Sequence, residues 1–133
     1  MIKVFLGGTC NGSTWRDTLI SQLKIEFFNP VVADWTEAAQ AKELLERESA
    51  DFVLYTLTPK MKGVYSVAEV VDDSNKRPEK TILCIITQDD NVSFDTTSLK
   101  SLIAVKHMVL RNGGIVLDSL TLVADFLNSK GKE

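Results

Sequence analysis

The chain of 133 residues predicts an α/β fold: a three-layer αβα sandwich on a five-stranded parallel sheet. Three observations carry this. Residues 51–58 and 81–87 are continuous β-forming or apolar runs, as strands buried on both faces are. Amphipathic helical stretches alternate with strands along the chain, which implies parallel βα units joined by right-handed crossovers. Residues 2–6 read as a strand that runs into Gly7-Gly8 and then a helix start, so a glycine loop stands at a strand's carboxyl end. For five strands the expected order is the flavodoxin-like 2-1-3-4-5. With no linker and no internal repeat, residues 1–133 are expected to form a single domain.

The elements follow in order. After the loop over residues 7–13, Thr14 and Asp17 fit an N-terminal capping pair. Their helix would reach about Lys24, with Leu19, Ile20 and Leu23 on its apolar stripe. Strand, glycine loop and helix N-terminus together offer unpaired N–H groups to a ligand or anion. Gly7-Gly8-Thr9 belongs to neither the dinucleotide nor the P-loop fingerprint, and a tight turn that only needs glycine is the other reading. Residues 27–32 are the second strand, and Pro30, without an N–H, puts it at an edge. Asp34 and Trp35 follow at its carboxyl end. Thr36 caps a helix over residues 37–49, with Ala38, Ala41, Leu44 and Leu45 as its buried face. Glu43, Glu46, Arg47 and Glu48 form its solvated face.

Residues 51–58 are the third strand. The helix after Tyr65 turns Val67, Val70 and Val71 inward and stops at Pro78. Residues 81–87 are the fourth strand and residues 88–97 a polar loop. A helix over residues 98–111 packs through Leu99, Leu102, Ile103 and Val109 and is closed by Asn112-Gly113-Gly114. Residues 115–117 are the last strand. Asp118-Ser119 opens a final helix with Leu122, Val123, Phe126 and Leu127 inward, before a polar tail.

Composition narrows the function. A net charge of −3 provides no basic face for nucleic acid or an anionic membrane. No apolar run reaches the roughly 18 residues of a membrane helix. The first apolar residues end at Gly7-Gly8, too soon for a signal peptide, and a cytoplasmic location is expected. Cys10 and Cys84 form no CxxC pair and His107 is the single histidine, so neither a cysteine-rich nor a histidine-rich metal site is expected, and no cofactor is implied. Cys84 reads as a core residue. Cys10 is either a loop thiol or a nucleophile.

In the expected order, the loops after the first three strands converge on one crevice. They carry Gly7, Gly8 and Thr9; Asp34 and Trp35; and the stretch from Lys60 to Glu69. Ser66-Val67-Ala68-Glu69 is a capping box in which Glu69 reaches back to the helix start. Alternatively, Glu69 is a catalytic carboxylate, kept ionised by the helix N-terminus, with Tyr65 as a donor to it. A carboxylate so placed suits nucleophilic attack on a sugar carbon with an oxocarbenium-like transition state. Asp72 and Asp73 lie three and four residues further on. They either couple to Glu69 or form a solvated acidic face. Asp34 and Trp35 either bind a sugar hydroxyl and stack on a base, or cap and pack. Asp51, at the opposite end of the sheet, reads as structural.

Several features together resemble a known family: Phe5-Leu6-Gly7-Gly8, Pro30 in the second strand, Ala50-Asp51-Phe52-Val53-Leu54-Tyr55 entering the third, a glutamate ten residues after Pro59, and a helix ending in Lys76-Arg77-Pro78. Their order and spacing, over residues 2–87, are similar to the nucleoside 2-deoxyribosyltransferase superfamily, and more closely to its small deoxyribosyltransferase-like branch. The resemblance implies a glutamate nucleophile, matched here by Glu69. It would attack the anomeric carbon of a (deoxy)nucleoside or nucleotide, release the base and pass the sugar to a second base or water. It also implies a homo-oligomer of two or more copies, with the loop around Asn91 reaching into a neighbour's site. The chain departs from the family pattern at Phe5, Gly63, Tyr65-Ser66 and Val71. Lys60 and Lys62, beside Gly63, would suit a phosphorylated substrate or serve as ordinary loop lysines. A nucleotide-binding or sensing module without chemistry is the alternative function.

Overall fold

The computed structural model describes residues 1–10 and 12–133. Chain order is β1 (Lys3–Gly8), α1 (Trp15–Ile20), β2 (Glu26–Phe28), α2 (Glu37–Ser49), β3 (Phe52–Leu57), α3 (Tyr65–Lys76), β4 (Thr81–Ile85), β5 (Gln88–Asp89), β6 (Val92–Ser93), α4 (Thr96–Arg111), β7 (Ile115–Val116) and α5 (Leu120–Gly131). The main sheet has five parallel strands in the order β2-β1-β3-β4-β7. This is the predicted doubly wound order. The polar loop over residues 88–97 proves to contain a small antiparallel hairpin, β5–β6.

Both faces of the sheet are covered, which explains the unbroken apolar runs. On one face Val4, Leu6, Leu54, Ile82 and Cys84 meet Leu19, Val123 and Leu127 of α1 and α5. On the other, Phe5, Val53, Tyr55, Leu57 and Leu83 meet Val70 of α3 and Leu102 and Val109 of α4. Burial pushes the Cys84 thiol up to about 12, so this cysteine is an inert core residue. β2 is an edge strand, and its pairing stops at Phe28, before Pro30; Val31 and Val32 lie beyond it, exposed.

Local capping follows the sequence in part. Thr36 Oγ1 accepts from Ala39 N at 3.1 Å, as predicted. Asp95 caps α4 at Ser98 N, 2.7 Å away, so that helix begins two residues early. Thr14 makes no side-chain cap; Ser13 Oγ accepts from Trp15 N instead, at 3.3 Å. α1 closes at Ile20, short of Lys24.

The largest correction concerns α2. Ala38, Ala41, Leu44 and Leu45, predicted to be buried, are exposed, while Arg47 is buried and Glu43 is half-buried. The inward row is Ala39, Glu43, Glu46 and Arg47. Helical periodicity separated the apolar from the charged row, but those apolar residues face out and, of the four charged ones, only Glu48 does.

β1 and β3 run close together where the crevice begins. Gly8 has φ +119°, and a Cβ there would stand 2.1 Å from the Thr56 carbonyl oxygen. Thr9 N donates to that same oxygen at 2.9 Å. The glycine is therefore required by close approach of two backbones. Gly8→Ala is expected to cost at least about 2 kcal/mol, seen as a lower urea midpoint; an unchanged midpoint would mean that the loop relaxes freely.

Candidate active site

A crevice of about 300 Å³ opens at the carboxyl ends of β1 and β3, where the chain reverses its direction of winding across the sheet. Gly7, Gly8, Thr9, Trp35, Tyr65, Ser66 and Glu69 all line it. Asp34 is exposed and not among the lining residues, and Asn91 lies exposed in the turn between β5 and β6, also outside the lining. Cys10 joins the wall, its thiol donating to the Gly8 carbonyl at 3.4 Å.

Glu69 is not a helix cap. α3 begins at Tyr65 with Val64 at its N-cap position, and no side chain caps it. That start puts Glu69 in the second turn, only 6% exposed, with its Oε2 3.6 Å from Arg47 Nη1. The Ser66–Glu69 box is therefore not formed. Tyr65 is exposed and makes no hydrogen bond to Glu69 among the described residues. Burial pushes the Glu69 carboxyl up to about 7. The Arg47 charge opposes this, and the Glu43 and Asp73 charges add to it.

The two aspartates beyond Glu69 separate in role. Asp73 is fully buried. It accepts from Arg47 Nε at 2.9 Å and Nη2 at 3.0 Å, from Arg77 Nε at 2.9 Å, and from the Tyr55 hydroxyl. Burial and the charges of Asp73 and Glu69 push the Tyr55 hydroxyl well above its ordinary range, so it stays a donor. Asp72 is half-exposed and bridges Arg47 Nη2 and Lys76, each at 3.1 Å. The solvated-face reading thus fits Asp72, while Asp73 is coupled to Glu69 through the field they share.

Sequence reasoning missed Glu43, Arg47 and Arg16. Glu43, on the inward row of α2, lines the crevice with Glu69. Burial pushes its carboxyl up against the pull of Arg47 and Arg16. Arg16, on α1, is buried and donates to the carbonyls of Leu6 (3.0 Å), Thr9 (2.7 Å) and Gly8 (3.3 Å). It holds the end of β1 in shape, and burial lowers its pKa. The available signal was a matched spacing: Glu43 and Arg47 stand four apart on α2, as Glu69 and Asp73 do on α3. The clasp between the two helices is made by Arg47, which meets Glu69, Asp72 and Asp73 on α3.

Lys60 is not free to meet a phosphate. Its Nζ pairs with Asp90, lies 3.9 Å from Asp89 and donates to the Gly12 carbonyl at 3.2 Å. Ser13 Oγ donates to Asp89 at 2.6 Å. These contacts tie the β5–β6 hairpin to the loops after β1 and β3. Lys62 is exposed.

A doubly wound α/β protein with one buried and one half-buried carboxylate in its strand-end crevice is built to hold a small molecule there. The family model described as nucleoside 2-deoxyribosyltransferase like matches residues 1–88. The chain belongs to that family. The matched span runs from β1 through β4 and contains every crevice residue named above. No curated protein matches the chain.

Proposed function

We propose that the protein cleaves or exchanges the N-glycosidic bond of a (deoxy)nucleoside or nucleotide, with Glu69 as the nucleophile. The observation that carries this reading is the presence of two carboxylates, the buried Glu69 and the half-buried Glu43, in one crevice. The ionised Glu69 oxygen attacks C1′ of the sugar. The C1′–N bond breaks with its electron pair on the base, and the departing nitrogen takes its proton from solvent. A sugar–Glu69 ester results. A second base or water then attacks C1′ and loses its proton to Glu43, and Glu69 leaves as a carboxylate. Trp35, about half exposed on the crevice wall, is the surface on which a base stacks, and Ser66 and Tyr65 stand at the sugar's side.

Residues 1–133 act as one domain on soluble cytoplasmic substrates, and the active form is a homo-oligomer. The outward face of α2, with Leu44 and Leu45 exposed, supports packing against a second copy. Asn91, at the tip of the hairpin, is the residue placed to reach a neighbour's crevice.

The test is incubation with a panel of deoxynucleosides and their monophosphates, with and without an acceptor base, followed by chromatography. Free base or exchanged nucleoside is expected, and base release without exchange would mark a hydrolase. One observation favours binding without chemistry: with its carboxyl at about 7, Glu69 is half-protonated at neutral pH and is then a weaker nucleophile. Saturable binding with no product from any substrate above pH 8 would establish that reading instead.

A further inference from the structure

We propose that Arg47 is the positioning residue of the Glu69 carboxylate, clamped by Asp73 and Asp72 so that one guanidinium nitrogen remains to face Glu69. The proposal rests on the reading of Glu69 as nucleophile. Arg47 reaches this place because α2 turns its charged row inward. Its Nε and Nη2 are committed to Asp73 at 2.9 and 3.0 Å, and Nη2 also meets Asp72 at 3.1 Å and the Glu69 carbonyl at 3.5 Å. Nη1 is different. Its acidic neighbour is Glu69 Oε2 at 3.6 Å, an ion-pair distance beyond hydrogen-bond contact, and it has no acceptor among the described residues.

A buried guanidinium that served only to join α2 to α3 would be complete with Asp73. That carboxylate is itself held by Arg77 and Tyr55, so the clamp is rigid. A bidentate fork fixes the plane of the guanidinium, and with it the position of Nη1. The anchor, Asp73, and the target, Glu69, lie one helical turn apart on α3. Arg47 spans them and fixes Oε2, leaving the second oxygen to the crevice.

The charged and titratable groups around Glu69 are Glu43 and Arg47 from α2, Asp72 and Asp73 from α3, Arg77 just past its end, Arg16 from α1 and Tyr55 from β3. Among the described residues Arg47 has the one cationic nitrogen within 4 Å of the Glu69 carboxylate. It opposes the burial and the acidic neighbours that favour the neutral acid. In the reaction it supports the carboxylate before attack and again when the ester breaks.

The test uses the full chain and the double variant Arg47→Met/Asp73→Asn, which removes the cation that faces Glu69 together with its anchor and leaves Arg77 an amide oxygen in place of the carboxylate. Carbon NMR follows the titration of the Glu69 carboxyl without substrate, and kcat/KM for base release is followed against pH. The Glu69 midpoint is expected to rise by about one pH unit, because the Arg47 charge that lowers it outweighs the Asp73 charge that raises it. The acid limb of kcat/KM should move with it, a loss of about fivefold at neutral pH. An unchanged midpoint and limb in a folded double variant would overturn the proposal. If the double variant does not fold, Arg47→Lys decides. Its ammonium cannot keep the fork and face Glu69 together, so a raised midpoint and lower kcat at unchanged KM are expected, and wild-type values of both would overturn it. A wild-type protein that releases no base, with a midpoint that still responds to Arg47, would remove the nucleophile reading and keep the positioning role.

Discussion

Glu69→Gln is expected to lower kcat for base release by roughly 10⁴-fold or more, because an amide in place of the Glu69 carboxylate cannot form the sugar ester. The substitution keeps the shape of the side chain and removes the nucleophilic charge. Stability should move the other way. In the folded protein burial holds the Glu69 carboxyl at about 7, above its ordinary 4.5. Between these values the folded state keeps a proton that the unfolded chain has lost. The group's contribution is thus fully present below about 4.5 and is lost as pH rises to about 7. The loss is on the order of 3 kcal/mol at most. Gln has no such dependence, so the variant should gain stability relative to wild type between pH 4 and pH 8. Urea midpoints at the two pH values, together with product chromatography, measure both effects. Undiminished turnover in the variant would leave Glu69 without a catalytic role.

Asp73→Ala is expected to be the most damaging single change to stability outside the apolar core. It leaves Arg47, Arg77 and the Tyr55 hydroxyl without their shared acceptor. Breaking a buried ion pair from one side costs about 3–5 kcal/mol, and a fall in melting temperature on the order of 10 °C follows. Asp72→Ala is the control. It touches the same guanidinium at 3.1 Å, but from a half-exposed position, where a salt bridge contributes roughly 0–1 kcal/mol. Similar melting temperatures for the two variants would mean that the clamp carries no special weight. At the same time, loss of Asp73 frees Arg47 to close on Glu69, so its carboxyl should titrate lower in whatever fraction stays folded.

The two carboxylates differed in how readily they could be found. Glu69 was located by its place after the third strand and by family resemblance, although the capping role suggested by Ser66, three residues before it, is not the one the helix adopts. The difference is physical: α3 starts at Tyr65, so Glu69 lies a turn too far in to reach the helix's first N–H groups. Glu43 and Arg47 had the opposite fate. Their charge argued for solvent, and Leu44 and Leu45 beside them argued for the core. Lys60 was weighed as a phosphate ligand, but its counter-ions, Asp89 and Asp90, stand some thirty residues away and meet it only when the hairpin folds over the loop.

The chain alone was enough for the alternation of strands and helices, the parallel order of the sheet, the edge position of β2 and the crevice at its strand ends. Those features follow from local periodicity, from proline and glycine chemistry, and from connection rules that any sequence obeys. The orientation of α2 depended on the third dimension. Periodicity tells which residues share a helix face, not which face turns inward. That choice was made by the acidic row on α3, more than twenty residues away, which gives Arg47 the partners that make its burial tolerable.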